Sequence, residues 1–100
     1  MHYYVLRLER GGPWDWSRDM REQDGWDEHA AFMDGLAEDG FVVMGGPTGT
    51  GEDDNTFHVV DAPDEAAIRA RLAEDPWAER LLTVHSIRPW TVWLRATGGR

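Results

Sequence analysis

The pattern of hydrophobic and polar residues predicts four strands and two helices along the chain. Over residues 2–9 the alternation places Tyr4, Leu6 and Leu8 on one side of a predicted first strand. From Trp26 or Asp27 onward, apolar residues three and four positions apart predict a helix instead. In chain order, the pattern predicts a strand at 2–9, a helix at 26–39, strands at 41–44 and 56–60, a helix with Pro63 in its first turn, and a strand at 82–89 with residues 90–94 as an extension.

The order of these elements, β-α-β-β-α-β, predicts a ferredoxin-like α+β fold. Such a fold has an antiparallel sheet with strand order 4-1-3-2 and both helices on one face. A chain of 100 residues is long enough for one hydrophobic core and too short for two. Residues 1–100 are therefore expected to form a single domain.

The sheet face opposite the helices is expected to carry apolar side chains. Several strands place Val, Tyr, Phe or Ile residues there, and a monomer rarely exposes a large apolar patch. We therefore expect a homodimer in which two open sheet faces pack together. In the alternative, the segment from Trp90 to Leu94 folds back over the sheet of its own chain.

Two long connections interrupt the pattern. The first, residues 10–26, contains Trp14 and Trp16, and two tryptophans favour packing over disorder. The second, residues 45–55, is rich in glycine and acidic residues and is expected to be the tip of a hairpin. It lacks the lysine of a phosphate-binding loop and the ligand spacing of a calcium loop, so neither ligand is expected there.

Charge and composition exclude several classes of partner and chemistry. The 19 acidic and 10 basic residues give a net charge of -9, which repels nucleic acid and anionic membrane surfaces. There is no cysteine, so no disulfide can form, and no lysine, so no Schiff base can form. The chain has no apolar run of the ~18 residues that a membrane span needs and no secretory signal pattern. We therefore expect a cytoplasmic protein.

The directions of the predicted elements bring candidate site residues to one end of the domain. The first helix begins where the second helix ends, so His29 is expected to meet Asp75. The residues expected to bind a substrate at this end are Trp14, Trp16, Arg18, Arg21, Trp26 and Trp77. Apolar walls with a few polar groups are typical of small-molecule sites, and Arg18 or Arg21 could bind a substrate carboxylate.

His29 allows two interpretations. As a general base or acid, it would be oriented by Asp75, which bonds one ring nitrogen and leaves the other to move a proton. As a structural residue, it would be a buried histidine that ties two helix ends together through the same carboxylate. The four histidines do not have the spacing of a metal site, so no metal is expected.

Several motifs resemble those of the YCII-related (YciI-like) domain family. They are the run from His29 to the Gly-Gly-Pro ending at Pro47, the Asp-Pro-Trp at residues 75–77 and the Arg-Pro-Trp at residues 88–90. The resemblance implies a dimeric α+β barrel built on a ferredoxin-like fold, with an active site formed by His29 and Asp75. It also implies enzymatic activity but leaves the substrate open, because a lyase-type dehydrochlorinase is among the few family members with an assigned activity.

The residues and the resemblance together favour a small-molecule enzyme that works without a cofactor. His29 and Asp75 would carry out a lyase or isomerase reaction by moving a proton on a small carboxylated or aromatic substrate. The alternative is a non-catalytic module that binds a small molecule or serves only in dimerisation.

Overall fold

The computed structural model describes residues 2–49 and 55–96. These residues form β1 (Tyr3–Arg10), α1 (Trp26–Glu38), β2 (Val42–Pro47), β3 (Thr56–Asp61), α2 (Glu65–Leu72) and β4 (Leu82–Trp90), with a short 3-10 turn at Met20–Glu22. All neighbouring strands are antiparallel, in the order β2-β3-β1-β4, which is the predicted order. No helix in this part of the chain is long and apolar enough to cross a membrane.

Both helices pack on the same face of the sheet. Leu6 of β1 and Val60 of β3 are fully buried in one apolar cluster with Leu36 of α1 and with Ile68 and Leu72 of α2. Each such side chain contributes about 1.5–3 kcal/mol when it is fully buried. The cluster therefore fixes α1 and α2 against the sheet and determines where their ends lie.

The ends of the helices follow local sequence signals. Gly40 adopts a left-handed φ of 79°, and the next N–H, that of Phe41, donates to a carbonyl in the last turn of α1 at 3.0 Å. α2 begins after Asp64, whose side chain accepts a hydrogen bond from the N–H of Ala67 at 2.8 Å. Pro63 was expected in the first turn of this helix, but it lies before the cap, because Asp64 provides the stronger start signal.

β2 is longer than the predicted strand. The pattern predicts a strand that ends at residue 44 and a hairpin tip that begins at residue 45, whereas β2 continues to Pro47. Gly45 and Gly46 pair with His58 and Phe57 of β3, because the backbone forms ladder bonds whether or not a side chain is present. The acidic part of the predicted tip, at 52–54, lies outside the described residues.

β4 ends at Trp90, and the predicted extension to residue 94 is not a strand. Trp90 pairs with Tyr3, the first residue of β1, so β1 offers no further residue for pairing. Residues 91–96 instead pass the open face of the sheet, where the guanidinium of Arg95 lies 5.2 Å from the ring centre of Tyr3. Trp93 and Leu94 are 87% and 93% exposed, so this segment touches the open face without covering it.

Candidate functional site

His29 and Asp75 form a hydrogen-bonded pair at one end of the domain. His29 lies in the first turn of α1, and Asp75 follows the end of α2. The Nδ1 atom of His29 is 2.8 Å from Oδ1 and 2.9 Å from Oδ2 of Asp75. Both side chains are 9% exposed. The contact predicted from the directions of the two helices is therefore confirmed.

Trp77 holds both members of this pair in place. Its ring stacks on the imidazole of His29, with centroids 4.0 Å apart and planes 8° from parallel. Its backbone N–H donates to Oδ1 of Asp75 at 2.9 Å, and its indole N–H donates to the carbonyl of Asp24 at 2.8 Å. Trp77 was expected to be a wall of the pocket, but it is 1% exposed and supports the pair from the interior.

The tautomer of His29 follows from this arrangement. A carboxylate only accepts hydrogen bonds, so the ring donates Nδ1–H to Asp75. The neutral ring then carries its lone pair on Nε2. The pair thus has the arrangement of an oriented general base, and it is also sufficient to hold two helix ends together.

The segment between β1 and α1 is packed and internally hydrogen-bonded. Gln23, which is 4% exposed, accepts from the N–H of Asp15 at 3.0 Å and donates to the carbonyls of Asp15 at 2.7 Å and Arg18 at 3.0 Å. Trp14 is 5% exposed and meets Trp77 edge to face, with ring centres 5.7 Å apart. The buried amide of Gln23 and the buried indole of Trp14 hold this segment against the domain. The prediction that the segment is packed is therefore confirmed.

This segment borders a pocket with a volume of about 630 Å³. Five of the six residues predicted to bind substrate line it, namely Trp14, Trp16, Arg18, Arg21 and Trp26. Among the described residues, Trp77, His29 and Asp75 are not part of its lining. Trp26 belongs to both parts of the site, since its ring centre is 5.8 Å from that of His29. The pocket and the pair are therefore neighbours, and the Trp26 ring lies next to both.

Arg10 also lines the pocket, although it was not among the predicted site residues. It is the last residue of β1, and its guanidinium carbon lies 4.8 Å from the ring centre of Trp14 and 5.1 Å from that of Trp16. Continued alternation from Tyr4 through Leu8 assigns Arg10 to the same side of β1 as those residues. This was the signal in the sequence that could have identified it.

His58 is a second imidazole near the pair that the site prediction did not include. The alternation of β3 places it on the buried side with Thr56 and Val60, and it is 9% exposed. Its Nδ1 atom is buried and has no hydrogen-bond partner in residues 2–49 and 55–96. The ring lies against Gly45 of β2, in the space that a Cβ atom at that position would occupy.

Burial makes His58 a weak base. Desolvation lowers the pKa of His58 from 6.5 to about 4, His29 contributes in the same direction, and Asp75 opposes the shift. His58 is therefore neutral at pH 7 and in mild acid. Within the described part of the chain, no group of three or more His, Asp or Glu side chains could hold a metal ion.

Comparisons with known proteins agree with this fold. This chain resembles one solved structure, the 5-chloro-2-hydroxyhydroquinone dehydrochlorinase of Burkholderia phenoliruptrix AC1100 in complex with 2,5-dihydroxybenzoquinone. The two chains are 24% identical over 96% of each, with a TM-score of 0.57, which establishes a shared fold. No curated protein matches this chain. The family model of the YCII-related domain matches residues 1–91, so the chain belongs to the YCII-related domain family.

Proposed function

We propose that this protein is a cofactor-independent enzyme in which His29 moves a proton and Asp75 orients it. The observation that carries the proposal is the buried contact of Nδ1 with both oxygens of Asp75, at 2.8 and 2.9 Å. A histidine held in this way has its other nitrogen ready to act as a general base, an effect worth about 10²–10⁴ in rate. The stacked ring of Trp77 keeps the imidazole in one orientation.

The reaction class that needs only such a base is proton transfer beside a carbonyl. Nε2 of His29 takes a proton from the carbon, and the C–H electron pair moves toward the carbonyl oxygen to form an enolate. In a lyase reaction, the enolate then expels a leaving group with its electron pair from the adjacent carbon, and the proton on Nε2 passes to that group or to water. In an isomerisation, Nε2 returns the proton to another atom of the enolate. Asp75 stabilises the imidazolium that exists between the two steps.

We place the substrate in the pocket beside the pair. Trp26 lines this pocket and contacts His29, so a shift of its half-buried ring would connect the two. The dehydrochlorinase of similar fold supports a small-molecule enzyme, and its structure is a complex with 2,5-dihydroxybenzoquinone.

A non-catalytic binding module is the second candidate, and one observation favours it. Among the described residues, neither His29 nor Asp75 lines the 630 Å³ pocket, so a ligand can occupy it without touching the pair. In that case the His29 to Asp75 contact would serve only to join α1 to α2.

Enolisation of phenylpyruvate, followed by ultraviolet absorbance, separates the two candidates. Catalysis requires that the wild-type protein accelerates the reaction, that His29→Ala abolishes the acceleration and that Asp75→Asn reduces it by about tenfold or more. His2→Gln removes an exposed imidazole and is the matched control. An acceleration that survives in His29→Ala would refute the catalytic role, and binding without acceleration would favour the binding module.

We also propose that the protein is a cytoplasmic homodimer whose open sheet faces pack together as a dimeric α+β barrel on the ferredoxin-like pattern. Three apolar residues of this side of the molecule remain exposed, at 46% for Val43, 66% for Met44 and 37% for Phe57. Packing the sheet face of a second copy of the chain against these side chains removes apolar surface from water.

Sedimentation equilibrium tests the dimer. Wild-type protein should have about twice the 11.4 kDa mass of the chain. Val5 pairs with Val59 of β3 and Arg88 of β4 on the open face, so Val5→Glu should place an unpaired charge in the interface and release monomers. A monomeric wild-type protein would refute the dimer.

A further inference from the structure

The hydrophobic interior of the domain is divided into two clusters of buried side chains. One lies between the sheet and the helices and includes Leu72 of α2, and the other includes Trp77 and Leu82. Leu72 and Leu82 both line a pocket with a volume of about 170 Å³. This pocket is therefore a gap between the two clusters, on the side of the sheet that carries the helices.

Most of the wall of the gap is apolar. It is formed by side chains from both helices and from β1 and β4, namely Leu8, Met33, Leu72, Leu82 and Val84. Protein interiors are normally packed so closely that few spaces exceed the size of a water molecule. A buried water molecule needs about two to four polar partners, which leucine and valine side chains do not provide. An apolar molecule is therefore a better occupant of the gap than water.

Three charged residues also line the gap, but each charge is already compensated or screened. Asp75 is hydrogen-bonded in the pair described above, and its side chain is 9% exposed. Arg69 is paired with Glu65 at 2.9 Å, and both Arg69 and Glu79 are exposed, so water screens their charges. Transfer of a further ion into the apolar part of the gap costs free energy that these residues do not return. The gap thus favours an uncharged molecule over an ion.

The volume of the gap sets the size of this molecule. An apolar protein cavity of about 150 Å³ takes one benzene molecule. With about 170 Å³, the gap has room for one six-membered ring. The exposed residues Arg69 and Glu79 mark its mouth, where a short substituent on the ring would reach solvent.

We propose that the gap between the two core clusters is a second binding site, which takes an uncharged molecule with one small apolar ring. The inference goes beyond the proposed function, because it concerns a different pocket and requires no proton transfer. Among the described residues, the gap and the pocket beside Trp26 share none in their linings. Because Asp75 lines the gap, a ring bound there would lie next to the carboxylate that orients His29.

Methionine methyl signals in NMR spectra test where a ring binds. Met33 lines the gap, Met20 lines the pocket beside Trp26, and Met44 lines a third pocket. A bound aromatic ring shifts the signal of a methyl group that it contacts, so titration with benzene should shift the Met33 signal. No shift at all, or shifts at Met20 or Met44 without one at Met33, would overturn the proposal.

Two probes of the same size test the preference for an uncharged ligand. Ethylbenzene and benzylammonium differ in that a methyl group of the first is replaced by an ammonium group in the second. Ethylbenzene should half-saturate the shift of the Met33 signal at a concentration at least about tenfold lower than benzylammonium does. Equal affinities, or tighter binding of benzylammonium, would show that the acidic residues rather than the apolar wall select the ligand and would refute the proposed class.

Two variants that replace valine with phenylalanine test the place of the site. Val84→Phe should fill the gap with its own ring and abolish the benzene-dependent shift of the Met33 signal. Val43→Phe, at an exposed position of β2, should leave that shift unchanged. A shift that persists in Val84→Phe with wild-type affinity would refute the site. If Val84→Phe does not fold, as judged by circular dichroism, the titrations of the wild-type protein still decide the proposal.

Discussion

Acid should destabilise this protein through His58 over a defined range of pH. His58 is 9% exposed, its Nδ1 atom lacks a hydrogen-bond partner in the described part of the chain, and burial lowers its pKa from 6.5 to about 4. Between these two values the unfolded chain binds a proton at this residue and the folded chain does not. Stability is therefore fully present above the unfolded pKa and is lost as the pH falls toward the folded pKa.

The size of the effect follows from the shift. One pKa unit corresponds to about 1.4 kcal/mol, so a fall from 6.5 to about 4 corresponds to a loss of about 3 kcal/mol in the free energy of unfolding. A single domain of this size is stable by only about 5–15 kcal/mol, so the loss should be easy to measure.

Urea denaturation between pH 7.5 and about 4 measures this free energy, with His58→Leu as the perturbed protein. Leu has no titrating group, so the variant should lose about 3 kcal/mol less than the wild type over that range. His2→Gln, which removes an exposed imidazole, should keep the wild-type slope. If the free energy of unfolding changes with pH equally in the wild type and in His58→Leu, burial does not hold His58 neutral, and the proposed role of His58 is wrong.

Two glycine positions give further predictions, both measured as changes in the free energy of unfolding. A Cβ atom on Gly11 would overlap the backbone carbonyl of Arg80, so Gly11→Ala should destabilise the fold by about 1–3 kcal/mol, whereas Gly12→Ala, with open space around it, should be nearly neutral. Equal effects of the two would contradict the close approach. Gly45→Ala should displace the ring of His58 and cost about 1–3 kcal/mol, and it should cost clearly less in a His58→Ala background, where the ring is absent. Additive effects would mean that the two residues do not touch.

The central contact of the candidate site was predictable because it depends on topology alone. Helical spacing around His29 and the helix-breaking Asp75-Pro76 locate two helix ends, and the element order requires these ends to meet. The arrangement around them was less predictable. The same sequence reasoning assigns Trp14 and Trp77 equal roles, yet Trp77 is buried behind the pair, because the packing of one indole against another depends on three-dimensional contacts.

The misplaced boundaries have a common physical cause. A strand extends as far as a neighbouring strand offers backbone groups, whatever its own side chains are. β2 therefore continues through two glycines and Pro47 opposite β3, and β4 stops at Trp90 because β1 begins at Tyr3. Propensity and alternation within one segment carry no information about the length of the segment beside it.

By itself, the sequence determined the kinds of helix and strand, their order, the buried face of β1 and the end of the domain at which His29 meets Asp75, because periodicity and chain direction are local or topological properties. Only the tertiary structure decided how the segment before α1 folds on Gln23, that Arg10 joins the pocket, and that the buried ring of His58 lies against Gly45. Each of these depends on contacts between residues far apart in the chain, and such contacts exist only once the helices and the sheet have packed together.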